Sequence, residues 1–185
     1  MNLPNKLTIF RMLMVPLFVV CLMSDNTMGT NFALIIFIIA SLTDFADGYI
    51  ARKYNLITDF GKLLDPIADK LLVSAGLICF VQLGVLDSWI VIVLLGREFI
   101  MSAVRMLGVK NNVVIKASKW GKWKTVIQMA LIFYLLFPWQ SFSFDLQIVE
   151  IVKILLIYGS LFLSVYSLVR YLKDNRVLLY QIADI

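Results

Sequence analysis

The 185-residue chain contains no histidine and only two cysteines. Without histidine there is no imidazole base, no His-ligated metal and no Ser-His-Asp triad. Cys21 and Cys79 both lie inside apolar runs, so they read as buried packing residues and not as a disulfide framework or a zinc cluster. Charge is also scarce, at 16% of the residues, where a soluble domain carries about 25%. Hydrophobic residues make up 61% and the mean hydropathy is +0.90. That excess is too large for a water-soluble core. It predicts an integral membrane protein and excludes a disordered chain or a secreted disulfide scaffold. The remaining charge is lopsided, with 17 Lys and Arg against 12 Asp and Glu, a net of +5. In a membrane protein such a balance points to anionic lipid surfaces and anionic substrates, not to nucleic acid.

A helix needs about 20 apolar residues to cross a bilayer. The hydropathy pattern predicts an all-α membrane protein, a single domain over residues 1–185 with six spans: Leu7–Met23, Asn31–Tyr49, Leu63–Leu83, Ser88–Val109, Gly121–Pro138 and Ile148–Tyr171. The second span is expected to continue helically through Ala51, and the third to start near Gly61. The N-terminal run lacks a small-residue cleavage pattern and is interrupted by Asn5, Lys6, Thr8, Arg11 and Pro16, so it does not read as a cleavable signal. The basic residues fall on one side, while the loops Ser24–Thr30, Gly84–Asp87 and Trp139–Gln147 have none. This asymmetry predicts both termini in the cytoplasm. Trp89, Trp120, Trp123 and Trp139 fit an interfacial aromatic belt.

Chemistry concentrates where the second and third spans meet the cytoplasm. Asp44, Asp47 and Ala51 are spaced i, i+3, i+7 and share one helix face, and Asp65 and Asp69, at i, i+4, share a face of the next helix. A short connection makes these helices antiparallel neighbours, so four carboxylates can converge. Uncompensated, they would raise one another's pKa and neutralise. Oxygen-only donors with no His or Cys nearby favour a hard divalent ion, Mg²⁺ or Mn²⁺. Two such ions ~3.5–4 Å apart form the clamp used for in-line phosphoryl displacement. Gly48, Ala51 and Gly61 leave room for a flat group near the backbone, and also permit close helix packing. Asp59 and Asp87 read as solvated. Intramembrane acids in such numbers are costly and point to function.

The pattern Asp44-x-x-Asp47-Gly48-x-x-Ala51-Arg52, eight residues, then Gly61-x-x-x-Asp65-x-x-x-Asp69 resembles the signature of the CDP-alcohol phosphotransferases, with every position matched. The resemblance implies a six-span enzyme acting at the membrane surface, usually as a homodimer. It implies that Asp44, Asp47 and Asp65 bind two divalent cations, and that Asp69 completes the metal site and serves as general base. It also implies that Gly48, Ala51 and Gly61, with Arg52 nearby, line the donor nucleotide site. Pro4-Asn5-Lys-Leu-Thr8-Ile-Phe-Arg11, Gly96-Arg97-Glu98, Arg105 and Gly121-Lys122-Trp123-Lys124-Thr125 look like the bacterial phosphatidylglycerophosphate synthase branch of the family. There the donor is CDP-diacylglycerol and the acceptor glycerol 3-phosphate. Asn5, Thr8 and Arg11 share a helix face, and the resemblance implies that they contact the donor.

A dianionic acceptor needs cations separate from the metal site. Arg97 and Arg105 lie eight residues apart on the fourth span, near one face, and Lys119 and Lys122 open the fifth. Arg suits bidentate phosphate contact and Lys serves as a point charge. These four are the expected acceptor-phosphate pocket. Lys110, Lys116 and Lys124 read instead as topology determinants or contacts to anionic lipid. A structural pair between Arg97 and Glu98 is disfavoured, because adjacent residues do not face each other on a helix. Two alternatives stay open at this point: another acceptor (inositol phosphate, serine or phosphatidylglycerol), or a divalent-cation transporter.

Overall fold

In a computed structural model, residues 3–24, 26–53, 59–110 and 119–176 are described; at 3, 4, 45–53, 59–63, 65, 66, 69, 109, 110, 119 and 140 the description is of backbone alone. The described residues form six α-helices and no strand: α1 (Leu3–Leu22), α2 (Thr27–Lys53), α3 (Asp59–Gln82), α4 (Ser88–Lys110), α5 (Lys119–Leu136) and α6 (Leu146–Asp174). Each coincides with one expected span. As expected, α2 runs on past Ala51, and α3 starts two residues ahead of Gly61.

The helix ends have local causes. At the start of α2 the Asn26 side chain accepts a hydrogen bond from the Gly29 amide, 2.6 Å away, and at the start of α6 Asp145 accepts from Gln147 at 2.9 Å. Both satisfy amides that a first helical turn leaves without partners. Gly84 ends α3 in the left-handed region, at φ +69°. Its amide bonds the Val81 carbonyl and the Val85 amide bonds the Phe80 carbonyl, the paired closure that favours glycine.

Three helices are long and apolar enough to cross a membrane, over Asn5–Leu22, Thr27–Asp44 and Leu146–Asp174. In α3, α4 and α5 every eighteen-residue window holds more than two charged residues. The charges that depress their hydropathy include most of the expected site residues: Asp65 and Asp69, Arg97 and Arg105, Lys119 and Lys122.

The chain forms two compact units: residues 1–85 with 132–144, and residues 86–131 with 145–185. In the first, α1 packs against both α2 and α3. Its buried stripe is Asn5, Thr8, Arg11, Val15, Phe18 and Leu22, polar in the N-terminal half and apolar beyond. Phe18 is fully buried beside Phe37 of α2, with ring centroids 6.3 Å apart, and a Cβ on Gly76 of α3 would lie 3.6 Å from its ring. Glycine at 76 thus lets α3 approach the ring. The segment after α5 gathers Tyr134, Phe137, Trp139, Phe142 and Phe144 into one aromatic group, with Trp139 donating from Nε1 to the Tyr134 carbonyl at 2.8 Å. In the second unit α4 packs against α6, whose buried stripe is Ile157, Ser160, Ser164, Ser167 and Tyr171.

The two cysteines differ: Cys79 is buried as expected, whereas Cys21 is only half-buried on the flank of the α1 stripe, and both are free thiols. Phe18→Ala is expected to destabilise the protein by about 3–5 kcal/mol, the usual cost of deleting a buried ring, while Phe10→Ala, at an exposed site, leaves it nearly unchanged. Thermal unfolding in detergent, read by circular dichroism, checks the pair.

Candidate active site

The polar half of the α1 stripe and the acidic ends of α2 and α3 belong to the same unit. Along α2 the buried positions Gly29, Ala33, Ile36, Phe37 and Ala40 lead to Asp44, one turn beyond Ala40. Along α3 the buried stripe of Ala68, Leu72 and Gly76 extends toward the N-terminus through the register positions of Asp65 and Asp69. Both stripes are the faces on which these helices pack, and α1 is their shared partner. The sequence predicted α2 and α3 as direct neighbours; what the structure describes is each of them against α1.

The contact that joins this region is an ion pair between Arg11 and Asp44. The Arg11 side chain is 3% exposed and the Asp44 carboxylate 42%. A buried guanidinium needs an anionic partner, and the half-open carboxylate supplies it while keeping a solvent-facing side. Asn5 and Thr8, buried on the same face of α1, complete a polar layer there. Arg11 was expected to contact the donor; its position beside Asp44 makes it equally part of the acidic site.

Asp47, Gly48, Ala51 and Arg52 continue α2, and Gly61, Asp65 and Asp69 lie in α3, but their side chains are outside the described residues. Asp44 and Asp47 are i, i+3 on one continuous helix, and Asp65 and Asp69 are i, i+4 on the next, so the backbone register keeps the expected pairing. Carboxylate oxygens alone, one of them on a half-exposed Asp44, fit a hard divalent cation.

The second unit holds the basic residues. Arg97 is buried. It donates from Nη1 to Glu98 at 2.9 Å and from Nη2 to Ser167 Oγ on α6 at 3.0 Å. The pair with its sequence neighbour therefore forms, against expectation. Helix geometry points the two Cβ atoms apart, but the long guanidinium arm reaches round to the carboxylate. Lys124 is also corrected. It is the most deeply buried lysine among the described residues, at 1%, and its Nζ pairs with the same Glu98 oxygen. No spacing rule flags this contact, because the partners sit 26 residues apart on different helices.

Arg105 and Lys122, by contrast, are exposed. Eight residues at about 100° each leave a rotation of roughly 80°, enough to turn Arg105 off the stripe of Arg97, Met101 and Val104. Arg97 and Arg105 therefore occupy different environments. Lys122 is two residues from buried Lys124 and on the opposite side of α5. The side chain of Lys119 and all of Lys116 lie outside the described residues. Beyond these, exposed Trp120 stands edge-on to Tyr166, with ring centroids 5.1 Å apart, and the Arg170 guanidinium lies 6.0 Å from the Trp120 ring.

A family model for CDP-alcohol phosphatidyltransferase matches residues 1–166, a stretch that contains every residue considered above except Ser167, Arg170 and Tyr171. The chain belongs to the CDP-alcohol phosphatidyltransferase family. It is similar to the CDP-diacylglycerol–glycerol-3-phosphate 3-phosphatidyltransferase of Bacillus subtilis (strain 168), 42% identical over 158 residues, covering 77% of this chain and 82% of the relative. The enzyme of the same name from Haemophilus influenzae is 37% identical over 179 residues, covering 93% and 92%. A plant relative from Arabidopsis thaliana, CDP-diacylglycerol–glycerol-3-phosphate 3-phosphatidyltransferase 2, is 40% identical over 194 residues, covering 96% and 82%.

In this family member the Arg11–Asp44 pair should be measurable as a coupling. Arg11→Met and Asp44→Asn are each expected to lower thermal stability in metal-free buffer, and the double variant to lose less than the two singles together. A coupling of about 1–3 kcal/mol is expected from a double-mutant cycle on a buried pair.

Proposed function

We propose that this chain transfers the phosphatidyl group of CDP-diacylglycerol to glycerol 3-phosphate, giving phosphatidylglycerophosphate and CMP. The observation that carries the reading is relatedness over most of the chain, at 37–42% identity, to proteins bearing that name. The fully matched Asp-x-x-Asp-Gly-x-x-Ala-Arg…Gly-x-x-x-Asp-x-x-x-Asp pattern supports it independently. All six helices span the cell membrane, with both termini and the acidic site at the cytoplasmic face, as the partition of basic residues argues. The working form is a homodimer.

Asp44, Asp47, Asp65 and Asp69 would hold two divalent cations, Mg²⁺ or Mn²⁺, which when bound neutralise the donor diphosphate and the charge developing on the leaving group. Gly48, Ala51 and Gly61 leave the backbone of α2 and α3 open to the cytidine diphosphate, with Arg52 beside them. Asn5, Thr8 and Arg11, on the polar half of the α1 stripe, face the donor. Arg11 also neutralises Asp44, so the acids of the site do not repel one another without compensation. Asp69 accepts the proton of the acceptor's primary hydroxyl. That oxygen attacks the β-phosphorus, the one bearing diacylglycerol, and CMP departs. The chain has no histidine, so the base must be a carboxylate. Arg97, Arg105, Lys119 and Lys122 provide the positive field that holds the acceptor's phosphate near this end of the chain.

Release of CMP by the purified protein, given CDP-diacylglycerol and a panel of alcohols, tests the reading. Turnover is expected with glycerol 3-phosphate and not with serine, inositol phosphate or phosphatidylglycerol. It should vanish with EDTA and return with Mg²⁺ or Mn²⁺. Metal-dependent ion flux without CMP release would mark a transporter instead. Asp69→Asn is expected to lower turnover about 10²–10⁴-fold, the usual loss for a general base, with CDP-diacylglycerol still bound. Arg105→Ala or Lys122→Ala should raise the KM for glycerol 3-phosphate about ten- to a hundredfold, with little change toward the donor.

A further inference from the structure

The polar layer of α4, α5 and α6 contains more ordering than a generic basic patch requires. Glu98 Oε1 accepts from both Arg97 Nη1 and Lys124 Nζ, so one carboxylate oxygen fixes two cations from two helices. Their side chains are 6% and 1% exposed. Two buried cations this close repel, and only the shared anion holds them together. Arg97 is also fixed from its other end. The Ser167 hydroxyl donates to the Ser164 carbonyl at 3.0 Å, so its lone pairs are left to accept from Arg97 Nη2. Such a fork, held at both terminal nitrogens, has one orientation.

The layer is not satisfied internally. Arg97 Nε, Gln128 Nε2 and the Tyr171 hydroxyl are buried and have no hydrogen-bond partner among the described residues. Gln128 lies one turn from Lys124 on α5, and Tyr171 one turn from Ser167 on α6. All three can donate. Counting Arg97 and Lys124 against Glu98 leaves one positive charge. A buried group of donors with surplus positive charge is complementary to an oxyanion and to little else.

We propose that Glu98 is a positioning residue for the acceptor: it holds Arg97 and Lys124 as a paired oxyanion clamp for the phosphate of glycerol 3-phosphate. This rests on the acceptor-pocket reading above, and it adds Lys124 to that pocket. Glu98 touches no substrate. It acts by keeping two cations together that would otherwise separate, and by doing so before the acceptor arrives, which lowers the ordering cost of binding.

The test is steady-state kinetics of the full-length protein, varying each substrate in turn, for Arg97→Lys, Lys124→Met, Glu98→Gln and Glu98→Ala, with thermal unfolding of each. Glu98→Gln is close to isosteric and carries the test if Glu98→Ala fails to fold. The expected result is a rise in the KM for glycerol 3-phosphate of about tenfold or more for each variant, with the KM for CDP-diacylglycerol within about twofold. Adding Glu98→Gln to Lys124→Met should cost less than it does alone, because Glu98 acts through the cations it holds. If Arg97→Lys and Lys124→Met raise that KM but Glu98→Gln leaves it unchanged or lowers it, the positioning role is overturned and the pocket stands. If neither cation variant moves it, the pocket at Arg97 and Lys124 falls and the proposal with it. Equal losses toward both substrates together with lowered unfolding temperatures would make Glu98 a structural clamp and also overturn it.

Discussion

A charge withdrawn from water inside an apolar helix bundle must find its counter-charge within the bundle, because the surrounding medium supplies none. Much of the described polar structure of this chain follows from that constraint. Arg11, buried on α1, is tied to Asp44 of α2. Arg97 and Lys124, buried on α4 and α5, are tied to Glu98, and Arg97 also to Ser167 of α6. Each bond joins helices that apolar packing alone would leave free to rotate about their own axes. Rotation of α1 by one residue would bury an apolar side chain against Asp44 and expose Arg11, and the unpaired carboxylate penalises that slip.

The same constraint accounts for the division of labour along the helices. The α1 stripe changes from Asn5, Thr8 and Arg11 to Val15, Phe18 and Leu22 within one continuous helix. The apolar end holds the first unit together through Phe18, Phe37 and the space over Gly76. The polar end is thereby free to carry chemistry. Helices α3, α4 and α5 carry so many site charges that they fall short of the apolar length of a membrane span. Their charged residues are tolerated because the site and its substrates need them. A cluster of carboxylates beside cationic side chains is the arrangement that phosphoryl transfer from a metal-bound diphosphate demands.

Helix positions were legible in the sequence because apolar runs and the turn residues that end them set them: all six helices, the extension of α2 past Ala51 and the early start of α3 were expected. The acidic motif was legible because its spacing, i, i+3 and i, i+4, is a property of a single helix. The basic site was less so, because its geometry depends on contacts between helices. Lys124 read as a juxtamembrane charge, and nothing in its neighbourhood announces a partner 26 residues earlier. Adjacency argued against an Arg97–Glu98 pair, a rule that holds for Cβ directions but not for a side chain as long as arginine. Arg105 read as a companion of Arg97, and the 80° that separates them (eight steps of about 100°) turns it outward instead. Burial of a polar residue is decided by the helix it meets, and one sequence does not contain that information locally.

The central claim is that the acids of α2 and α3 converge on one site that holds two metal ions. Electron paramagnetic resonance of the protein titrated with Mn²⁺ in the presence of CDP-diacylglycerol tests it most directly. The account predicts two Mn²⁺ per chain, with the broadened, coupled spectrum of a closely spaced pair, reduced to at most one uncoupled ion in Asp47→Asn. Two isolated Mn²⁺ signals, or a coupled pair that survives Asp47→Asn unchanged, would contradict it.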